Sequence, residues 1–415
     1  MIKRFLYFLA VLVIIDIYLL NGYKNFNLNS SFKIAFKWFY YASLLVSYSC
    51  FALIIIKFDD RPTQSTLWMN LWFGYTFAFL VLKMVLFLGV VLDDLIRGIE
   101  YLSKAVWNLM SQPSTKVAYP DRRKFIGQLG LGLASVPFLG MLYGITKGKY
   151  NYKLKSVSLD FSNLPRVFDG LKIVHISDIH SGSFDDIEAV AQGVNMIKEQ
   201  EADLVLFTGD LVNNDAEEIV PYKELFGGVQ APLGVFSTLG NHDYGTHKRW
   251  KSKEDKYNNL SDLKAHQKEM GFDLLNNRTH TIVKEGQALD IVGVENWGKP
   301  PFPQLGDLDK ALEGTNPNHF KILLSHDPTH WDEKVIPNAQ KIDLTLSGHT
   351  HGMQFGVEIP GFKWSPSKYI YKRWAGLYQN KEQFLYVNRG FGFLGFPGRV
   401  GIWPEITVIT LNRKG

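Results

Sequence analysis

Cysteine is almost missing from this chain: Cys50 is the only one, and it lies inside an apolar run. No disulfide can form within the chain, and no set of thiolates is at hand for a structural zinc site. Histidine is absent from the first part, because all 11 histidines follow position 170. Any imidazole-based metal chemistry is therefore confined to the C-terminal part. A strong charge of either sign is lacking too. A formal net charge of +5 over 415 residues, without a strongly basic face, argues against nucleic acid as a partner. No internal repeat and no low-complexity tract stands out.

What the first third does have is long apolar runs. Residues 5–20 are apolar apart from Asp16, residues 38–56 form a clearer run, residues 67–92 are interrupted by Lys83, and residues 125–145 are uncharged. Each is close to the length needed to cross about 30 Å of hydrocarbon. The reading is an all-α membrane domain of about four transmembrane helices at 1–149, followed by a second domain at 150–415 after a short polar linker at 147–151. A cleavable signal peptide is the rival for the first run alone, but no clear small-residue cleavage site follows. Asp16 and Lys83 are ionisable groups within apolar runs, where charge is costly and usually has a partner or a role; they could pair with each other, although such a residue more often snorkels or lines a helix contact.

Lysine and arginine counts set the orientation. Lys24, Lys33 and Lys37 lie between the first two runs; Arg97, Lys104, Lys116, Arg122, Arg123 and Lys124 lie between the last two. Placing both groups in the cytoplasm puts the second domain outside, in the periplasm or extracellular space. Lys3, Arg4, Lys57, Arg61, Lys147 and Lys149 oppose this and are fewer. The stretch Arg122-Arg123-Lys124-Phe125-Ile126 partly resembles a twin-arginine export signal, although Asp121 holds the place of the usual hydroxyl residue. A plain positive flank to the last run explains it equally well.

In the second part, five strand-like runs end in Asp, Asn or His. Residues 171–176 lead into Asp178-x-His180. Residues 204–208 lead into Gly209-Asp210, and residues 234–239 into Gly240-Asn241-His242-Asp243. Residues 320–324 lead into Ser325-His326-Asp327, and residues 342–346 into Gly348-His349-Thr350-His351. Strand ends are where α/β sheets place their ligands. Residues two apart on an extended segment face one side, so Asp178 with His180, and His349 with His351, are expected to converge. Carboxylate, imidazole and amide oxygen together suit Mn, Fe or Zn. Any one of these residues alone would read as a helix cap, a turn residue or a core histidine; five coincidences at strand ends read as a metal site.

In this order the motifs resemble the calcineurin-like metallophosphoesterases, over residues 153–412. With apolar runs first and the ending Arg399-Val400-Gly401-Ile402-Trp403-Pro404-Glu405-Ile406, the layout is most similar to the bacterial membrane-associated branch. Met353 is a departure, since many relatives carry a second glycine there. The resemblance implies a four-layer α/β/β/α sandwich and two divalent metal ions. Asp178, His180 and His351 would hold the first ion and Asn241, His326 and His349 the second, with Asp210 bridging. His242 would touch the phosphate, oriented by donating a hydrogen bond to Asp243. The implied reaction is hydrolysis of phosphate esters, phosphodiesters first, by metal-activated water. The alternatives are a lipid-precursor pyrophosphatase of the UDP-2,3-diacylglucosamine type, which needs the opposite topology, and a membrane sensor with an inactive hydrolase domain.

Arg389 and Arg399 are candidates for binding the substrate's phosphate, with a surface salt bridge as the alternative. Residues 355–378 interleave seven aromatic residues with Lys363, Lys368, Lys372 and Arg373. Such a surface suits a membrane interface or a lipid- or cell-wall-linked substrate, while core packing accounts for about half of the rings. Between the motifs, residues 185–200 and 260–270 read as helices, 279–283 and 288–294 as a hairpin, and 384–388 and 406–411 as final strands. His175, His247, His266, His280, His319 and His330 read as ordinary packing or surface histidines.

Overall fold

The computed structural model describes residues 2–23, 30–56, 63–110 and 120–415. Lys24, Lys57, Arg61 and Lys116 of the charge count fall outside these residues. The chain divides into two units, Met1–Arg61 with Leu71–Tyr143, and Pro62–Asn70 with Gly144–Gly415.

The first unit is built of helices: α1 (Ile2–Tyr23), α2 (Ser30–Ile56), most of α3 (Leu67–Met110) and most of α4 (Pro120–Thr146). Among the described residues, two helical segments, Leu67–Trp107 and Gln128–Thr146, are long and apolar enough to cross a membrane, and Leu6–Gly22 is a shorter apolar helix. Helix α3 runs well past the apolar stretch that ends near residue 92. No proline interrupts it, and Arg97 lies 3.2 Å from Asp93 one turn earlier, which supports an exposed continuation.

Asp16 and Lys83 do pair. Lys83 Nζ lies 3.0 Å from Asp16 Oδ1, and the hydroxyls of Tyr40 and Tyr48 each donate to the same carboxylate at 2.7 Å. The two charges are only 4 % and 1 % exposed, so each depends on the other for compensation. Lys83→Met alone is expected to cost about 3–5 kcal/mol, because it strands a buried carboxylate. Adding Asp16→Asn should recover most of that loss in thermal unfolding of the detergent-solubilised chain. A double variant no more stable than the single one would contradict this.

The second unit carries fourteen strands: β1 (Lys153–Phe161), β2 (Leu171–Ile176), β3 (Leu204–Phe207), β4 (Val235–Ser237), β5 (Asp273–Leu274), β6 (Arg278–Lys284), β7 (Gln287–Gly293), β8 (Phe320–Leu324), β9 (Leu344–Ser347), β10 (Val357–Ile359), β11 (Phe362–Trp364), β12 (Gly376–Asn380), β13 (Gln383–Val387) and β14 (Glu405–Arg413). They form two six-stranded mixed sheets, ordered β1-β14-β2-β3-β4-β5 and β12-β13-β9-β8-β7-β6, and a separate β10–β11 hairpin. The central strands β2, β3 and β4 are mutually parallel, as are β7, β8 and β9.

The period of two along each strand builds the layers. In β2, Leu171 and Ile173 join the core between the sheets, while Val174 and Ile176 join the core on the outer face. In β3, Leu204 and Leu206 point inward and Val205 and Phe207 outward. In β8, Phe320, Ile322 and Leu324 face the first sheet, and Leu323 packs outward against Trp331 and Val335. Strands buried on both faces need mainly apolar runs: β3 is wholly apolar, while β2 carries Lys172 and His175 and β8 carries Lys321. Each fully buried aliphatic side chain contributes about 1.5–3 kcal/mol relative to exposure. Helix α5 (Ile187–Lys198) lays Val190, Val194 and Ile197 on the outer face of the first sheet. The short α6 (Lys223–Gly227) adds Phe226 and the longer α7 (Lys253–Glu269) adds Leu263 to the same core.

Helix α7 begins seven residues before the apolar positions of 260–270, because Ser252 caps it by accepting from the Asp255 N–H at 3.0 Å. The expected hairpin is β6–β7, with Lys284 paired to Gln287. The linker around residue 149 is not a free polar tether. Lys149 is buried, and its ammonium lies 2.5 Å from the equally buried Asp185 carboxylate.

Candidate metal centre

The clusters at the carboxyl ends of β2, β3 and β4 in one sheet, and of β8 and β9 in the other, meet where the two sheets touch. His326 Nδ1 lies 2.7 Å from the Thr208 carbonyl, and the His349 N–H reaches both Asp178 carboxylate oxygens at 3.0 Å. Gly348 makes the contact possible. A Cβ there would lie 2.1 Å from Asp178 Oδ2, a distance no side chain tolerates.

Among the described residues, two groups offer ligand atoms close enough to hold an ion: Asp178, His180 and His351, and Asp210, His326 and His349. In the first, His351 Nε2 is 3.2 Å from Asp178 Oδ1 and 3.1 Å from His180 Nε2. In the second, His326 Nε2 is 3.1 Å from Asp210 Oδ2 and 3.3 Å from His349 Nδ1. Asp210 Oδ2 is also 3.5 Å from His180 Nε2, so one carboxylate oxygen faces both groups. Its other oxygen accepts the His242 N–H at 2.8 Å. Asn241 is buried, and its Oδ1 has no hydrogen-bond partner among the described residues. A buried amide oxygen left unpaired beside such groups fits a cation better than a packing role.

The convergence has a different cause from the one expected. Neither motif is extended at its ligands. Asp178, His180, Asp210, His349 and His351 all have left-handed backbones, with φ of 52°, 49°, 58°, 70° and 50°. Non-glycine residues adopt that region at a cost, and a run of them at one place marks a site held by its surroundings. The strand ends, and each next residue is swung toward the same point.

The electrostatics are consistent with cation binding. Burial would raise the Asp210 and Asp178 carboxyls, but facing imidazoles override it: His326 and His242 hold Asp210 well below the usual carboxylate range, and His351 and His326 do the same for Asp178. Burial pushes the His180 and His349 imidazoles down toward the neutral form that donates a lone pair. Burial acts the same way on His326, but the Asp210 and Asp178 carboxylates outweigh it and push that group up to about 10. Two ionised carboxylates require positive charge between them; a proton on His326 supplies one unit, and a divalent ion would supply more.

Around the ligand atoms, the second ring nitrogens are also engaged. His180 Nδ1 lies 3.1 Å from Asn213 Oδ1, and His349 Nε2 lies 2.9 Å from the Tyr371 hydroxyl. Asn213 was not singled out from the sequence, and Tyr371 was read there only as one of the seven aromatic residues of 355–378. Asn213 stands three residues past Asp210, and that closeness is the one signal for it.

Three expectations are corrected. Asp243 does not orient the His242 ring. Its buried carboxylate accepts from the N–H groups of Gly240, Asp210 and Leu211 at 2.8–2.9 Å, and so shapes the ligand loop. The His242 ring is held instead by the Asn213 carbonyl, 2.9 Å from Nδ1. Arg389 is buried and bonded to Glu405 and to Glu358, the latter at 2.9 Å, so it is not free for a phosphate. Arg399 is fully buried. It donates to the carbonyls of Arg389 and Gly392 at 2.8 and 2.9 Å, with Nη2 3.2 Å from His351 Nδ1, behind the ligand rather than in front of it.

The rim is mixed. Met353 is exposed, Trp374 is buried, and Phe362 is 54 % exposed on the β10–β11 hairpin. Of the six histidines expected to be ordinary, His247 stacks on His242 with ring centroids 4.5 Å apart, and His330 bonds Ser325 at 2.9 Å.

Comparison with known proteins identifies both parts of the chain. Residues 3–149 match the family described as probable calcineurin-like phosphoesterase, transmembrane domain, and residues 171–353 match calcineurin-like phosphoesterase. An uncharacterized metallophosphoesterase of Bacillus subtilis, YkuE, is 29 % identical over 70 % of this chain and 98 % of its own length. The transmembrane protein with metallophosphoesterase domain of Danio rerio is 29 % identical over 66 % of this chain, and its Bos taurus counterpart 30 % over 62 %. The matches span 60 % and 56 % of those two vertebrate proteins. The chain belongs to the calcineurin-like metallophosphoesterases, with a transmembrane domain ahead of the phosphoesterase domain.

Proposed function

We propose that this chain is a multi-pass membrane phosphoesterase of the cell (inner) membrane, with four membrane-crossing helices ahead of a domain at 150–415 that hydrolyses phosphodiesters outside the cytoplasm. The observation that carries the reading is Asp210 Oδ2 facing His180 of one ligand group and His326 of the other.

In this reading Asp178, His180 and His351 hold one ion, Asn241, His326 and His349 a second, and Asp210 is shared; manganese, iron or zinc suits the donor set. When bound, such ions screen the phosphate's charge and lower the pKa of a coordinated water toward neutrality. The chain's own residues do the rest. His242 Nδ1 is committed to the Asn213 carbonyl, which leaves Nε2 to protonate the departing oxygen. Asp243 fixes the loop that carries Asp210.

A cavity of about 240 Å³ lined by Lys299, Thr329, Asp332, Ile370, Tyr371 and Arg373 shares Tyr371 with the site. Room for a second substituent beside the phosphorus supports a diester. The exposed Ile359, Phe362, Tyr369 and Ile370, with the exposed Lys368, support a lipid- or cell-wall-linked substrate.

Pro62–Asn70 groups with the C-terminal unit. Four crossings put the segment between the second and third helices on the same side of the membrane as that unit, and the lysine and arginine counts put that side outside. A reporter active only outside the cytoplasm, fused after Gly415, should be active; silence would reverse the orientation. Purified chain should hydrolyse bis(p-nitrophenyl) phosphate with added manganese and stop when the metal is chelated. Absence of turnover with metal bound would sink the enzymatic reading.

A further inference from the structure

Residues 64–70, which run into the first turn of α3, are tied by hydrogen bonds to the surroundings of the metal centre. The Ser65 N–H donates to the Gly182 carbonyl at 3.0 Å. Asn70 Nδ2 donates to the Ser183 carbonyl at 3.1 Å and to Asp185 Oδ2 at 2.7 Å. Gln64 donates its side-chain amide to the Glu218 carbonyl. These contacts lie within the second unit, to which Pro62–Asn70 belongs.

Both ends of this attachment lead to Asn213. Glu218 is buried, and its carboxylate accepts from the Asn213, Asn214 and Asp215 N–H groups, the last two at 3.2 and 3.1 Å. Gly182 is packed against the same carboxylate, where a Cβ would lie 2.4 Å from it. Ser183 Oγ accepts from Asn213 Nδ2 at 3.0 Å. Asn213 then touches the second ring nitrogen of two histidines, His180 through Oδ1 at 3.1 Å and His242 through its carbonyl at 2.9 Å. An N–H donated from Nδ1 fixes the tautomer and aims the Nε2 lone pair at the ligand position.

We infer that residues 64–70, which run into the first turn of α3, position the metal centre: through the 181–185 loop and Glu218 they set Asn213, and Asn213 sets His180 and His242. The inference rests on the metal-centre reading above. It makes the state of the catalytic ligands depend on a segment that continues directly into α3, so whatever displaces the start of α3 loosens the site. Lys149 and Tyr150, which follow α4, close the same knot by bonding Asp185, Tyr150 at 2.9 Å.

The test uses the full chain in nanodiscs, with manganese binding followed by electron paramagnetic resonance and kcat measured separately from KM. Asn70→Ala is expected to weaken manganese binding at one of two sites about tenfold, with a similar fall in kcat and little change in KM. Asn213→Ala should do the same, and the double variant should add little, since both act on one path. Trp68→Ala, at a 77 % exposed position of the same segment, should match wild type in all three readouts. If Asn70→Ala does not accumulate, Gln64→Ala, which removes a single half-buried hydrogen bond, carries the test. Wild-type manganese affinity in both segment variants, whether or not their melting temperatures fall, overturns this inference alone. Wild-type chain that binds no manganese overturns the metal-centre reading and this one with it.

Discussion

An Asp210→Ala variant is expected to lose hydrolysis by a factor of at least about 10³, together with its stoichiometric metal. The size follows from what the carboxylate does. Its Oδ2 lies between His326 at 3.1 Å and His180 at 3.5 Å, and in the proposed two-ion centre a ligand so placed would serve both ions. Metal-ion stabilisation of the transition state amounts to several kcal/mol, and each 1.36 kcal/mol is a factor of ten in rate. About 4 kcal/mol therefore gives about 10³. Asp210→Asn keeps the shape and the hydrogen bond from the His242 N–H, so it separates charge from packing. If charge is what matters, Asn should be nearly as damaging as Ala. Elemental analysis beside steady-state kcat checks both; Asp210→Ala within tenfold of wild type, with metal retained, would contradict the shared role.

The second large effect has the opposite signature. His242→Ala should lower kcat by about 10²–10⁴, the range for a positioned proton donor, while metal content stays at the wild-type level. His242 offers its backbone N–H, not its ring, to Asp210, and alanine keeps that bond. The loss should depend on the leaving group. An aryl ester that departs as a stable anion needs no proton and should suffer least, and an alkyl ester should suffer most. Equal losses on both would remove His242 from proton transfer. Asp243 gives a useful contrast: because it braces the loop of Asp210 through backbone donors, its loss should reach both metal content and stability.

Much of the site was legible because the chemistry and the fold repeat one pattern. Five buried strands need mainly apolar runs, and each run stops where an Asp, Asn or His motif begins. Asp178, His180 and His351, and Asp210, His326 and His349, come together in two groups because strand ends from two sheets meet at Gly348. Why the residues within each motif converge was not legible. Alternation along a strand predicts the same side for Asp178 and His180, but β2 ends at Ile176 and left-handed backbones do the aiming. No local pattern announces a positive φ at aspartate or histidine; it is imposed by contacts from residues far along the chain.

Partner choice was likewise hidden. Arg389 and Arg399 have the right chemistry for phosphate, yet Glu405 and a ring of carbonyls claim them from inside. Asp243 follows His242 directly, which invites pairing, but its carboxylate turns to the backbone N–H groups of Gly240, Asp210 and Leu211 instead. Lys149 reads as linker until the buried Asp185, 36 residues away, is seen beside it. In the first unit, pairing of Asp16 with Lys83 was one option open from the sequence, beside snorkelling or a helix contact, and burial of both charges decides for it.

The most direct measurement is anomalous scattering at the manganese edge from crystals of the full chain grown with that ion. Two peaks are expected, one within bonding distance of Asp178, His180 and His351 and the other of Asn241, His326 and His349, with Asp210 touching both. A single peak, or none at these residues in protein that hydrolyses the diester, would contradict the two-ion centre.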